Sequence, residues 1–178
     1  SVVEVGKWDP TPRKGLVMLS PLSFSLQQLS PVTFKGSMAY GASGSSATQK
    51  DASFLAVEGW VRGDPWIEYY IVENYSGYNP LSQPGITVQP SITVDGSLYD
   101  VGFLTYKGIP RAPSSAPGPV TIRKLISVRQ NQRASGTVTV AAHWAAWKIF
   151  GPIGTDHEWE IVACESSNTY GHCDIQVF

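Results

Sequence analysis

Residues 65–75 read PWIEYYIVENY, a run of β-branched and aromatic residues opened by a proline and followed by Ser76-Gly77. That composition between turn signals predicts a strand. Successive side chains of a strand leave opposite faces, so Glu68, Tyr70 and Val72 share one face while Ile67, Tyr69 and Ile71 share the other. The second face suits a core. The first sets a carboxylate beside tyrosine, a combination that points to a sugar cleft.

Outward from this stretch the same signals recur. VTFKGSMAY, SFLAVEGWV, ITVDGSLYDVGFLTY, VTIRKLISVRQ, GTVTV, EWEIVACES and CDIQVF are rich in Val, Ile, Thr and aromatics and are parted by Gly, Pro, Asn and Ser clusters. They predict strands in an antiparallel arrangement. Only AAHWAAWKIF has helical spacing, with Val140, Trp144 and Trp147 on one stripe and Gly151-Pro152 as the stop. His143 inside this helix is read as a structural polar group. GASGSSATQKDAS and IPRAPSSAPGP have loop character. Residues 1–31 are atypical: LVML and LSFSL have strand composition, but prolines confine or interrupt them.

The chain has 178 residues, enough for one sizeable core, and one domain spanning 1–178 is expected. Aromatics make up 11% and charged residues 15%, a balance that suits a sheet-rich surface of Ser, Thr, Gly and Tyr. A net charge of -1 without a basic run leaves no electrostatic footprint for nucleic acid. No apolar stretch is long enough to cross a bilayer as a helix. The N-terminus SVVEVGKW lacks the parts of a signal peptide, so the chain reads as mature and soluble.

The two cysteines are Cys164 and Cys173. A two-residue turn at Asn168-Thr169 would oppose Glu165 to His172 and Cys164 to Cys173, close enough for a disulfide. A disulfide and an oxidising compartment are therefore expected, the alternative being two free thiols on a strand face. A zinc site from Cys164, His172 and Cys173 is weighed and set aside, because the ligands lack the usual separated pairs. Asn74-Tyr75-Ser76 is a formal glycosylation acceptor, and Arg62-Gly63-Asp64 reads as a solvated strand connection.

Within EWEIVACES, alternation groups Ile161, Ala163 and Glu165 on one face. A carboxyl with small or apolar neighbours is desolvated and suited to donating a proton. Taken together, WIEYYIVENYSGYNP, TVDGSLYDV, ISVRQNQRASGTVTVAAHWAAW and WEIVACE, preceded by VTFKGSMAY and SFLAVEGW, closely resemble the ordered landmarks of glycoside hydrolase family 11, the endo-β-1,4-xylanases. The match runs over roughly residues 32–178. The resemblance implies an all-β jelly roll of two curved antiparallel sheets with one α-helix, secreted, monomeric and free of cofactor or metal. It implies xylan or a related β-glycan as the partner, with no role for nucleic acid or membrane. Glu68 is similar to the family's nucleophile and Glu165 to its acid/base. Tyr70 corresponds to the cleft tyrosine, and the loop from about Gly108 to Pro119, with Pro113 and Ser114, to the substrate-covering thumb.

The chain departs from the family at several positions. Glu58 replaces a tyrosine, which predicts a third carboxylate in the cleft near Glu68. Lys124, Leu125 and Ile126 replace a glutamine and two aromatics, and Lys124 is expected to pair with Glu58 or Glu68. Residues 9–31 stand in place of the early strands as an insertion. Lys107 and Arg111 are both candidates for the arginine that precedes the thumb. His172, opposite Glu165 in the expected hairpin, would either tune the acid/base or bond across the strands. These departures leave a second reading open, a xylanase-like secreted protein that is weakly active or inactive and acts by carbohydrate binding or host recognition.

Overall fold

The structure, a computed structural model, describes residues 31–41, 52–110, 118–167 and 170–178. Among them run β1 (Val32–Gly41), β2 (Ala52–Arg62), β3 (Trp66–Gly77), β4 (Thr87–Val94), β5 (Ser97–Gly108), β6 (Val120–Arg129), β7 (Ser135–Val138), α1 (Val140–Trp147), β8 (Asp156–Ser167) and β9 (Tyr170–Val177). The segment expected to be atypical, residues 1–31, lies outside the described residues except for Pro31. In the thumb expected at 108–119, residues 111–117, including Pro113 and Ser114, also lie outside them.

The described strands form two sheets, one ordered β7-β1-β9 and the other β4-β5-β6-β3-β2-β8. Each pairing is antiparallel except that of β3 with β6, which is parallel. The β4–β5 hairpin supplies the crossover that a parallel pair requires. The segment read as one strand, ITVDGSLYDVGFLTY, is split into this hairpin by Asp95 and Gly96, both at positive φ, in the two-residue turn that Asp-Gly favours. Asp95 then reaches the helix, accepting from the Thr139 backbone N–H at 2.8 Å and from its hydroxyl at 2.6 Å.

Core packing follows the alternation expected of β3. Ile67, Tyr69 and Ile71 lie between the sheets with Leu55, Val57, Tyr99, Leu125 and Val162, closed on the other side by Phe34, Val138 and Ile175 and by Val140, Trp144 and Trp147 of α1. His143 is buried, paired with the Ser127 hydroxyl at 3.1 Å, and burial pushes its imidazole down to about 3. It is a structural group, as its place in the helix implied.

Cys164 and Cys173 are disulfide-bonded, with Cα atoms 6.5 Å apart. The expected hairpin register around them is not formed. β8 pairs with β2 and β9 with β1, one in each sheet, and His172 stands opposite Ala39 rather than Glu165. The reason is burial: Val162 and Cys164 on one strand and Ile175 on the other line the space between the layers. Pairing β8 with β9 in one flat ladder would take one of them away from that core. The disulfide consequently staples the two sheets together.

Two carboxylates are buried in this core. Glu73, 0% exposed, accepts from the Tyr99 hydroxyl at 2.7 Å and pairs with Arg133. Glu160, 4% exposed, accepts from the Tyr69 hydroxyl at 2.5 Å, and burial raises its carboxyl to about 7. The folded chain thus holds a proton on Glu160 that the unfolded chain releases near 4.5, so this group lowers stability progressively as pH rises from 4.5 to about 7.

Glu160→Gln removes that titration. Compared with wild type, it is expected to flatten the loss of stability over this window by about 3 kcal/mol, measured by urea unfolding at about pH 4.5 and about pH 8. Replacing Cys164 and Cys173 together by alanine frees the short loop between them and is expected to cost about 2–3 kcal/mol, read as a lower thermal midpoint.

Candidate active site

Glu68 leaves β3 on the face opposite the core and is 2% exposed. The Tyr70 hydroxyl donates to its Oε1 at 2.9 Å and the Tyr106 hydroxyl to its Oε2 at 2.8 Å. Lys124 Nζ lies 3.2 Å from Oε2 and 5.1 Å from the centre of the Tyr70 ring. Charge-assisted bonds of this kind are short and directional, so three donors from three strands fix the plane of the carboxylate. The strand register makes this possible: Glu68 stands opposite Lys124 across the parallel β3/β6 pair, and Tyr106 stands opposite Ile122, two residues from Lys124 on the same face of β6. Of the two partners expected for Lys124, the ion pair is with Glu68.

Tyr106 was not singled out by the sequence. Its signal lies in alternation along β5 combined with the β5–β6–β3 pairing, and that pairing joins residues far apart in the chain. Lys107, considered as a counterpart of the arginine ahead of the thumb, alternates to the other face of β5. Arg111 lies outside the described residues.

Glu165 is half-buried on β8 and stands opposite Phe54 of β2, two strands away from Glu68. Ile161 and Ala163 share its face and are buried, the apolar setting that alternation predicted. The Phe54 ring meets the Tyr70 ring edge-on, centroids 5.7 Å apart, and Tyr70 in turn holds Glu68. Phe54 and Tyr70 therefore connect the two candidate carboxyls. Glu58, 2% exposed, occupies the row between them, opposite Tyr70 on β3 and Ile161 on β8, so the third carboxylate faces the same side as Glu68. Farther along, Trp60, Trp66 and Trp159 pack with Ile122 and Ile161, an aromatic wall continuous with Tyr106. The pairing of Trp60 with both Glu68 and Trp159 puts this wall directly beside the carboxylate.

The remaining candidates divide. Cys164 and Cys173 are committed to their disulfide, which removes the thiolates that the zinc arrangement needs. The backbone of His172 is in β9, while its side chain, like Pro113 and Ser114, lies outside the described residues. Arg62, at the edge of the Arg-Gly-Asp turn, pairs with Asp156 at 3.3 Å and Glu158 at 3.4 Å, the solvated connection that was expected.

The family model for Glycosyl hydrolases family 11 matches residues 32–176. The chain is 43% identical over 136 residues to Endo-1,4-beta-xylanase 3 of Pyricularia oryzae, covering 76% of this chain and 54% of that protein. It is 41% identical over 125 residues to Ethylene-inducing xylanase 1 of Verticillium dahliae, covering 70% of this chain and 53% of that protein. The chain thus spans about half the length of the curated relatives it matches. Among solved structures, one from a comparison of two endo-1,4-β-xylanases of Trichoderma reesei superposes with a TM-score of 0.76 at 26% identity, covering 99% of this chain and 93% of that one. The family 11 xylanase of Neocallimastix patriciarum has the same fold, with a TM-score of 0.76 at 24% identity and coverage of 100% of this chain and 82% of that one. The fold is therefore the β-jelly roll of these enzymes, and the chain belongs to glycoside hydrolase family 11.

Proposed function

We propose that this protein is a retaining, endo-acting glycoside hydrolase that cleaves β-1,4-xylan, with Glu68 as nucleophile and Glu165 as general acid/base. The observation that carries the reading is the grip of Tyr70, Tyr106 and Lys124 on Glu68, on the same sheet face as Glu165. In the first step one Glu68 oxygen attacks the anomeric carbon while Glu165 protonates the departing glycosidic oxygen. A water then displaces Glu68, with Glu165 taking its proton. Such a double displacement works with carboxyls about 5–5.5 Å apart. Tyr70 positions Oε1 and offers its ring beside the sugar, and the tryptophan wall extends the apolar surface on which sugar faces stack. Pro113 and Ser114 would contribute from the thumb, and Glu58 and His172 would tune the site. Residues 1–178 are taken as one domain acting as a monomer. The disulfide supports an extracellular setting.

A second reading, a xylanase-like protein acting by carbohydrate binding, is favoured by one feature. Glu68 is nearly inaccessible and ion-paired to Lys124, and that pair must loosen before the carboxylate can attack.

Reducing-end release from xylan separates the two. Glu68→Gln is expected to abolish hydrolysis, and Glu165→Gln to lower it by roughly 10²–10⁴. Equal inertness of wild type and both variants on xylan and other β-glycans, with retained xylan binding, supports the second reading instead. A cation beside Glu68 stabilises the anion before attack more than during it, when that charge is being lost to the new bond. Lys124→Gln is therefore expected to raise kcat several-fold, on the order of 1 kcal/mol, read from initial rates at saturating xylan.

A further inference from the structure

Behind the face that carries Glu68 and Glu165, one row of the sheet reads Tyr69 on β3, Gly59 on β2 and Glu160 on β8. The Tyr69 phenol crosses β2 at Gly59 to bond Glu160. A Cβ on residue 59 would lie 2.6 Å from the Tyr69 hydroxyl and against the Trp159 carbonyl, so only glycine leaves the passage open. The hydrogen bond thereby links the strand of Glu68 to the strand of Glu165 across the one between them. Its row is adjacent to that of Glu68, Trp60 and Trp159 and to that of Tyr70, Glu58 and Ile161. From α1, Trp144 and Trp147 rest against the Tyr69 ring at 5.4 and 6.0 Å, and His157 of β8 lies 6.2 Å away.

We propose that Tyr69 and Glu160 are positioning residues, whose bond across Gly59 holds β3 and β8 at the spacing that Glu68 and Glu165 need, and that the bond does this with Glu160 protonated. The proposal rests on the reading of Glu68 and Glu165 as the reacting carboxyls. The groups facing Glu160 offer little to balance a charge on it. β3 presents the Tyr69 phenol, and α1 packs the neutral rings of Trp144 and Trp147 against that phenol's ring. On β8 itself, burial pushes His157 down to about 4, leaving it uncharged at neutral pH. The neighbouring carboxylate on β2, Glu58, acts on Tyr69 as a like charge, and Glu158 is engaged with Arg62. Deprotonation of Glu160 places a charge in a dry layer, where it must draw in water or move the strand.

The test compares kcat and KM on xylan for wild type, Tyr69→Phe and Glu160→Gln from about pH 5 to about pH 9, with thermal midpoints as a check on folding. At the acid end Tyr69→Phe is expected to lose kcat on the order of tenfold with KM within about twofold, because a displaced pair slows chemistry more than binding. Glu160→Gln, whose amide oxygen still accepts from Tyr69, is expected to keep the wild-type kcat there. It should also hold that kcat above about pH 7, where wild type declines. Wild-type kcat in Tyr69→Phe, or superimposed pH profiles for Glu160→Gln and wild type, overturns the proposal. If wild type does not hydrolyse xylan at all, the functional reading fails separately and a ¹³C-carboxyl NMR titration decides this one. An inflection at the Glu160 midpoint in the Glu68 and Glu165 signals, absent in Glu160→Gln, supports the coupling, and its absence in wild type overturns it.

Discussion

Burial of β3 on both faces is the constraint on which the rest of the structure depends. Toward the core it places Ile67, Tyr69 and Ile71 under α1 and the smaller sheet, and on the other face it places Glu68, Tyr70 and Val72, all buried as well. A strand enclosed in this way has no solvated side on which a carboxylate can be accommodated cheaply. Glu68 therefore has to be fully engaged, and it is, by two phenols and an ammonium. The same enclosure makes the neighbours of β3 decisive. β6 runs parallel to it and brings Lys124 level with Glu68, while β2 runs antiparallel and brings Glu58 level with Tyr70.

Of the three register shifts among the described strands, the two on β2 adjust this lattice, the third lying between Gln89 and Ile92 on β4. Between β2 and β3 the register shifts after Leu55, so that Leu55 faces Asn74 while Ala56 faces Val72, leaving Glu73 as the extra residue. Glu73, which alternation turns inward with Ile71, bonds Tyr99 and Arg133, and Arg133 also donates to the Thr137 carbonyl, tying β3 to β7 of the other sheet. Between β2 and β8 the shift falls at Trp60/Val61 and leaves Glu158 extra, beside Arg62. In both cases the bulge gives a carboxylate a basic partner, and pairing is regular at the row of Glu68, Trp60 and Trp159.

Two charged side chains stand close together beside Glu68 and Tyr70. Lys124 stands opposite Glu68 and Glu58 opposite Tyr70, on the same face of the sheet. One adds a cation at the carboxylate, and the other adds a buried carboxylate on β2, the strand next to β8. Lys124 also lies over the Tyr70 ring, so the same side chain engages the carboxylate and the tyrosine that orients it. The chemistry of the site is thus shaped by an ion pair in a dry setting, where such interactions are strong and their loss is felt.

The strands, the single helix and the grouping of Glu68 with Tyr70 and of Glu165 with Ala163 were legible in the sequence, because alternation and helical spacing are local properties that each segment carries by itself. The motifs spread over residues 32–176 made the family legible as well. The partners of each strand were not. Adjacent β8 and β9 read as a hairpin, yet they separate into different sheets because both must bury a face between the layers. β3 finds β6 in a parallel pair because the intervening hairpin returns the chain to it. Tyr106 on Glu68, Lys124 choosing Glu68, and Tyr69 crossing Gly59 to Glu160 all depend on those pairings. By itself the sequence determined which side chains each strand presents to which face. The tertiary structure alone decided which faces meet, because strand partners are selected by the shared burial of residues distant in the chain.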